Sequence, residues 1–266
     1  MENSLYKGEG VLVDKWSYGL RLPFPSWTGY HRIAPRPVRK GDIVLFNNPG
    51  GSVQDIRLEN RPVFISRCVG VAGDTLLLNR DWRPVGTSPG SPDSKALYAY
   101  PSGQEDLVQA LMETVGITDN PLVDYTSDGH YIRSFSRYEY YLLTQKAEGR
   151  VGFFPLDQQH PDTRPFVVPR RGVPVKVYPW NAILLCNTIV HHEGRAASLQ
   201  GDTLLVDGKA VSEYRFGKDY YWMSSNDPVN LHDSRLFGLV PEDHLIGKAW
   251  RIWWTSRKGR FFQRVE

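Results

Sequence analysis

The sequence has few cysteines, and their placement excludes two classes of small protein. Its 266 residues include only Cys68 and Cys186, which form no CxxC pair. A disulfide-rich scaffold or a zinc site of the usual spacing is therefore not predicted. Each cysteine lies within a largely apolar run, which favours two buried small side chains. The sequence gives no distance between them, so their pairing stays open.

Long hydrophobic runs are also absent. No stretch approaches the roughly 18 consecutive apolar residues that a membrane-spanning helix requires. Residues 1–7 (MENSLYK) contain no apolar segment of the kind found in a secretory leader. We therefore expect any membrane attachment of the parent protein to lie outside this chain.

The charge of the chain is nearly balanced. It has 32 Lys and Arg against 29 Asp and Glu, a formal net charge of +3. A nucleic-acid-binding domain usually concentrates its basic residues in a patch or stripe, and no such run precedes the C-terminal tail. No nucleic-acid partner is expected.

Short runs of β-branched and aromatic residues predict an all-β protein. They occupy residues 11–13, 42–46 and 63–65, and alternate residues of the tail at 247–265 are again apolar. The 24 glycines and 19 prolines are spread along the chain, as many turns between short strands require. Asp207-Gly208 predicts one tight hairpin.

Two segments have helical patterns. Residues 105–115 place apolar side chains at helical spacing. A second short helix is predicted at residues 180–191, because Pro179 is near its first turn and Gly194 follows its end.

Four stretches of the chain combine glycine, charged and apolar residues, and their order along the chain is informative. They are residues 1–19 (beginning MENSL), residues 40–46 (KGDIVLF), residues 65–74 (ISRCVGVAGD) and residues 226–249, which include Asp233-Ser234-Arg235. Taken in this order, they resemble the signature boxes of the type I signal peptidases. No single box is decisive, but four in the right order make chance a poor explanation.

The resemblance implies a fold and a division of the chain. Members of this family have an antiparallel-sheet β core interrupted by a variable second domain. We therefore predict a signal-peptidase-like β core from residues 1–80 and 219–266. Residues 81–218 would form an inserted domain that carries one or two short helices. The family uses no metal or cofactor, so none is expected.

The catalytic positions of the family are not filled in the usual way. The nucleophilic serine would directly precede Met1, outside this chain. The position of the general-base lysine, directly before Arg67, holds Ser66, whose hydroxyl cannot act as a base near neutral pH. The serine that orients the lysine is replaced by Leu231. The resemblance therefore predicts a peptidase activity that is lost or reduced.

Other positions of the family's site are retained or remain apolar. The positions that support the site hold Arg67, Asp233, Ser234 and Arg235. The positions that would contact a signal peptide hold Met1, Leu5, Val44 and Ile65. For these four, ordinary core packing explains the apolar character equally well.

Three functions are compatible with the sequence. The first is a signal peptidase with an upstream serine and an unidentified base. The second is a pseudoprotease that binds the signal peptides of exported preproteins or an active signal peptidase paralogue. The third is a structural envelope protein that reuses the fold. The resemblance implies a location at the extracytoplasmic (periplasmic) face of the cytoplasmic membrane. The aromatic and basic tail would then either pack the sheet or contact the membrane surface.

Two further combinations invite other readings. His191-His192-Glu193 contains metal-binding residue types, but a solvated helix end is the favoured interpretation because adjacent helical side chains do not face one another. Ser224, His232 and Asp233 include the residue types of a catalytic triad, although closeness in sequence is no evidence for triad geometry.

Overall fold

The largest sheet combines strands from both ends of the chain. The computed structural model describes residues 4–22, 29–85, 94–118, 120–156 and 162–265. Six strands of this sheet are antiparallel to their neighbours, in the order β1 (Gly10–Asp14), β19 (Leu245–Trp254), β4 (Ile43–Asn47), β5 (Val63–Gly70), β17 (Tyr220–Ser224) and β18 (Val240–Pro241). The predicted all-β, antiparallel fold class is thereby confirmed.

Both faces of this sheet are covered by apolar clusters. One cluster contains Leu5, Ile43, Ala249, Ile252 and Val265. The cluster on the other face contains Tyr18, Val38, Val44, Phe46, Cys68, Met223, Val240 and Leu245. Successive residues of a strand point to opposite faces, so Ile43 and Val44 enter different clusters. This explains why strand β4 is a continuous apolar run rather than an alternating one.

A second unit between residues 94 and 156 has its own core. Its sheet has the order β10 (Phe154–Pro155), β7 (Lys95–Pro101), β9 (His130–Ser136) and β8 (Asp124–Tyr125). The helices α1 (Glu105–Val115) and α2 (Arg137–Ala147) share an apolar cluster with this sheet, in which Tyr100, Val108, Phe135 and Leu143 are fully buried.

Residues 162–217 pack against the core instead. Strand β11 (Arg164–Val167) of this segment pairs with β6 (Thr75–Leu78), which lies before it in the chain. Within the segment, β12 (Pro174–Lys176) pairs with β16 (Glu213–Arg215), and β14 (Thr203–Val206) lies between β13 (Ala197–Gln200) and β15 (Lys209–Ala210). Elsewhere, β2 (Leu20–Arg21) pairs with β3 (Arg32–Ile33). Phe166 and Leu185 share a cluster with Leu76 and Trp222 of the core strands. The assignment of residues 81–218 to one inserted domain stays a prediction.

Both helices that the sequence predicted are present. The helix at residues 105–115 is α1, and the helix at 180–191 corresponds to α3 (Ala182–Thr188), continued by a π-helical segment, Ile189–Glu193. The last helix, α4 (Ser234–Phe237), is one turn long. Helix α2 was not indicated by the sequence pattern. Its start is defined by a capping box, in which Ser136 and Glu139 bond each other's backbone amides.

The structure also tests the predicted hairpin and the predicted burial of the two cysteines. Asp207 and Gly208 have φ angles of 48° and 78° and join β14 to β15, as the hairpin prediction requires. Cys68 and Cys186 are both buried and unpaired.

Within the described ranges, no helix is long and apolar enough to cross a membrane.

We predict that Gly247→Ala destabilises the core. A Cβ atom at this position would lie 2.6 Å from the carbonyl oxygen of Asp14 and 3.0 Å from the Cα of Lys15, so strands β1 and β19 would have to separate. The expected loss in free energy of unfolding is about 1–3 kcal/mol, measured by urea denaturation. Gly103→Ala is the control, since a Cβ there meets nothing within 4 Å. Equal stability of the two variants would contradict the prediction.

Candidate active site

Arg67 connects the boxes that the sequence comparison singled out. Its guanidinium donates hydrogen bonds to the Ser4 hydroxyl (3.0 Å) and to the carbonyl oxygen of Gly41 (2.9 Å). Its Nε donates to the side-chain oxygen of Asn226 at 3.4 Å, and the Asn226 amide donates to the Ser4 hydroxyl at 3.0 Å. The residues around the site are thus held by one polar network. Asn226 lies within the fourth box, and the sequence comparison assigned it no role.

Ser66, which the sequence resemblance assigns to the general-base position, is almost completely buried. It lies opposite Val44 in the register of strands β4 and β5, and only 1% of its surface is exposed. Its hydroxyl donates a hydrogen bond of 3.4 Å to the backbone carbonyl of His232. A serine held in this way has a structural contact and no basic group to offer.

The apolar positions predicted to contact a peptide are distributed over both faces of the sheet. Leu5 is buried and shares one cluster with Ile65. Val44 is completely buried in the cluster on the opposite face, beside Ser66. Met1 lies outside the described residues. Leu5 therefore lies near Ile65, and Val44 lies opposite Ser66. Val44 is on the other face of the sheet from Leu5 and Ile65, so these residues do not form one continuous surface.

Asp233 and Arg235 form the most deeply buried ion pair near the site. The Asp233 carboxylate is fully buried and accepts hydrogen bonds from Arg235 Nε (2.9 Å) and Nη2 (2.8 Å). It also accepts from the backbone N–H groups of Ser225 (2.7 Å) and Arg235 (3.0 Å). Arg235 in turn donates to the carbonyl oxygens of Pro228 and Asn230, each at 2.7 Å. These bonds fix the loop that precedes helix α4.

Ser224, His232 and Asp233 do not form a Ser–His–Asp triad. The carboxylate of Asp233 is engaged by Arg235 and backbone amides, and the Ser224 hydroxyl donates a 3.3 Å hydrogen bond to the carbonyl oxygen of Ser225. The His232 ring is bonded through Nδ1 to the side chain of Asn230 and lies over Phe64, with 5.4 Å between ring centroids.

A cavity of about 550 Å³ opens beside the Ser66 position. Phe64 and His232 line this cavity. Phe64 is two residues before Ser66 in strand β5, and the His232 carbonyl accepts the hydrogen bond from the Ser66 hydroxyl. Helix α3 and its π-helical continuation form the opposite wall, with Ile183 and His192 among the residues that line it.

The expectation of a solvated helix end at His191-His192-Glu193 is wrong for His192. Its ring packs against the ring of His244, at a centroid distance of 5.2 Å, and against the ring of Tyr220, at 6.4 Å.

 Only 8% of the surface of His192 is exposed. His244 Nδ1 contacts the Asp243 carboxylate at 2.9 Å, and Lys218 binds the same carboxylate at 2.7 Å.

Burial determines the protonation of these two histidines. It lowers the pKa of His192 well below its usual value, and the neighbouring His244 lowers it further. Burial also lowers the pKa of His244, although Asp243 opposes this shift. Both rings are therefore neutral near pH 7. In the part of the chain that the structure describes, no group of three or more His, Cys, Asp or Glu side chains is arranged to hold a metal ion.

Comparison with known proteins finds similarity to signal peptidases. A model of the signal peptidase family, peptidase S26, matches residues 1–82. Signal peptidase I of Buchnera aphidicola is 22% identical over 258 residues, which are 97% of this chain and 66% of that protein. Signal peptidase I of Helicobacter pylori is 19% identical over 266 residues, 96% of this chain and 72% of that protein.

A shorter match is closer in sequence. Signal peptidase I of Pseudomonas aeruginosa is 29% identical over 118 residues, which cover 40% of this chain and 37% of that protein. The chain thus spans about two thirds of the length of the relatives that it matches throughout. The chain is thus similar in sequence to signal peptidases over nearly all of its length. The resemblance is to the type I enzymes.

We predict that Arg235→Ala strongly destabilises the protein. The substitution leaves the fully buried Asp233 carboxylate without its cation, which is expected to lower the free energy of unfolding by about 3 kcal/mol or more. Arg195→Ala is the control, because the Arg195–Asp207 pair lies at the surface and its loss should change little. Urea denaturation measures both variants. A similarly small loss for Arg235→Ala would show that the pair is not needed.

Proposed function

We propose that this chain binds the signal peptides of exported preproteins, and that its own peptidase activity is lost or reduced. The observation that carries the proposal is the state of Ser66. This residue occupies the general-base position of the related enzymes, is buried, and uses its hydroxyl to bond the His232 carbonyl.

The chemistry of a Ser–Lys hydrolase supports the loss of activity. A neutral lysine amine must take the proton from the attacking hydroxyl, and burial is what lowers the pKa of that lysine enough. Lys40 and Lys248, in the matched boxes, are instead paired with Asp74 (3.1 Å) and Asp42 (2.5 Å). Leu231, at the position of the lysine-orienting serine, is half exposed and apolar.

Open backbone on strand β5 supports the retention of binding. Among the described residues, strand β17 pairs with β5 only as far as Ser224, which lies opposite Arg67. Residues 63–66 pair with β4 on their other side. A peptide in extended conformation can therefore add as a strand along residues 63–66, where main-chain hydrogen bonds provide affinity. Leu5 and Ile65 lie on one face of this edge.

The C-terminal tail supports a position at a membrane surface. Arg251 lies between the rings of Trp250 and Phe262, so these aromatic residues have partners within the protein. Trp253 and Phe261 contact each other, yet Trp253, Trp254 and Phe261 are each more than half exposed. Aromatic rings next to basic side chains are suited to the headgroup region of a bilayer. We place the chain at the extracytoplasmic face of the cytoplasmic membrane, where signal peptides emerge.

The proposal predicts that a lysine can restore cleavage. The protein is expressed from its complete reading frame and assayed with a preprotein that carries an Ala-x-Ala site. In a protein that carries a serine directly before Met1 as the nucleophile, Ser66→Lys with Leu231→Ser should raise turnover about 100-fold or more over the same protein without these two changes, since general-base catalysis contributes at least this much. Val63→Lys is the control, because it places a lysine on the exposed surface of the same strand.

Results with the unaltered protein test the proposal further. Clear turnover by the unaltered protein would overturn the loss of activity and start the search for another base. Retention of the preprotein without turnover supports the binding function. If the unaltered protein neither cleaves nor retains the preprotein, the binding proposal is wrong, and a structural role or a role as a partner of an active paralogue is favoured.

We predict that the exposed aromatic residues of the tail contribute to membrane binding. Replacement of Trp253 and Phe261 by Ala should weaken sedimentation with vesicles of zwitterionic and anionic phospholipids about ten-fold, because two large apolar side chains no longer enter the bilayer interface. Tyr125→Ala with Tyr138→Ala is the control, since both tyrosines are more than 60% exposed and lie in the 94–156 unit. An equal effect of both pairs would contradict a specific role for the tail.

A further inference from the structure

The cavity beside Ser66 is larger than a small side chain requires. Its volume is about 550 Å³, within the usual range for sites that bind small ligands or large side chains. It lies between one face of helix α3 and the segment around helix α4, and the loop at Gly50 and Gly51 borders it. The ring of His191 packs against Gly51, where an added Cβ would be 2.9 Å from Nε2.

The walls of the cavity combine aromatic and aliphatic side chains with three histidines and other polar side chains. Phe64 and Phe237 are stacked, with 5.8 Å between centroids and 6° between ring planes, and Trp82 is stacked on Trp222. Stacking covers one face of each ring, so an entering aromatic ring can meet a ring edge or the remaining face, and both edge-to-face and offset-stacked contacts are favourable. The rim includes Ile183 and Leu236, which are 56% and 65% exposed.

The charges around the cavity favour a neutral occupant. Its described lining includes no carboxylate that would bind a basic side chain. Arg235, which also lines it, is already paired with Asp233, so its charge is not available to an acidic side chain. His192 is buried, and burial favours its neutral form.

The cavity is continuous with the edge at which we expect a peptide to bind. Phe64 and Ser66 are alternate residues of strand β5 and therefore point to the same face. His232 connects them, since its carbonyl bonds Ser66 and its ring lies over Phe64. A peptide strand added along residues 63–66 would direct every second side chain to this face.

We propose that the cavity binds an aromatic side chain of the peptide that adds along residues 63–66. This inference rests on the proposed peptide-binding function and names a feature of the peptide. The aromatic side chain occupies the Phe64 face of the added strand. Smaller side chains of the peptide lie on the face of Leu5 and Ile65.

The test uses fluorescein-labelled nine-residue peptides and the full chain. The parent peptide contains an Ala-x-Ala sequence, and a single phenylalanine is moved through it one position at a time. Affinity is measured by fluorescence anisotropy. Phenylalanine should strengthen binding about ten-fold at one position or at alternate positions. Only side chains on the cavity face of the peptide strand enter the cavity, and burial of the ring there removes it from water.

Two variants on the same helical segment show whether the cavity is responsible. Ile183→Glu places a charge at the rim and should remove the gain from phenylalanine while leaving the affinity for the parent peptide unchanged. Val190→Glu is the matched control, because Val190 is also exposed on this segment but does not line the cavity. Circular dichroism and thermal unfolding confirm that both variants are folded.

The outcomes separate this proposal from the one on which it rests. If the parent peptide binds and phenylalanine gives no gain at any position, the aromatic site is wrong and peptide binding stands. A gain at adjacent positions alike, or one that survives Ile183→Glu, also overturns the aromatic site. If no peptide binds, the proposed function fails and this inference fails with it.

Discussion

The pairing of strand β19 is the constraint on which the core depends. This ten-residue strand lies between β1 and β4, so it connects the two N-terminal strands to each other across the sheet. Gly247 permits the close approach that this position requires. Without β19, both neighbours would expose unpaired edges, and Leu5 and Ile43 would lose Ala249 and Ile252 from their cluster. The matched boxes at the two ends of the chain meet because of this pairing.

The polar contacts around the site have a structural rather than a chemical character. Arg67 binds Ser4, Gly41 and Asn226, and Asp233 binds Arg235. All of these groups are satisfied within the protein and hold the loops in place. The position from which a base would act contains Ser66, whose hydroxyl is also used internally. On our proposal, the scaffold that once positioned a reaction now positions a peptide.

The sequence predicted the parts of the fold that depend on local patterns. Strands with β-branched runs, helix α1 and the Asp207-Gly208 turn follow from spacing and turn chemistry. Helix α2 was missed because its aromatic residues have no clear helical period, and its capping box alone indicates its start. The burial of His192 depends on His244, which is distant in sequence, so no local pattern indicated it. For the same reason, the two faces occupied by Val44 and Ile65 became distinct only with the strand register.

The 94–156 unit has a property that bears on how such a chain changes in evolution. The unit begins with β7 and ends with β10, and these strands are paired, with Ala99 opposite Phe154 and Tyr98 opposite Pro155. Its two ends therefore leave from neighbouring points, which is the geometry that lets a segment be inserted into a loop of another domain. Because the unit also has its own apolar core, it can be lengthened, exchanged or lost as a module while the large sheet keeps its register.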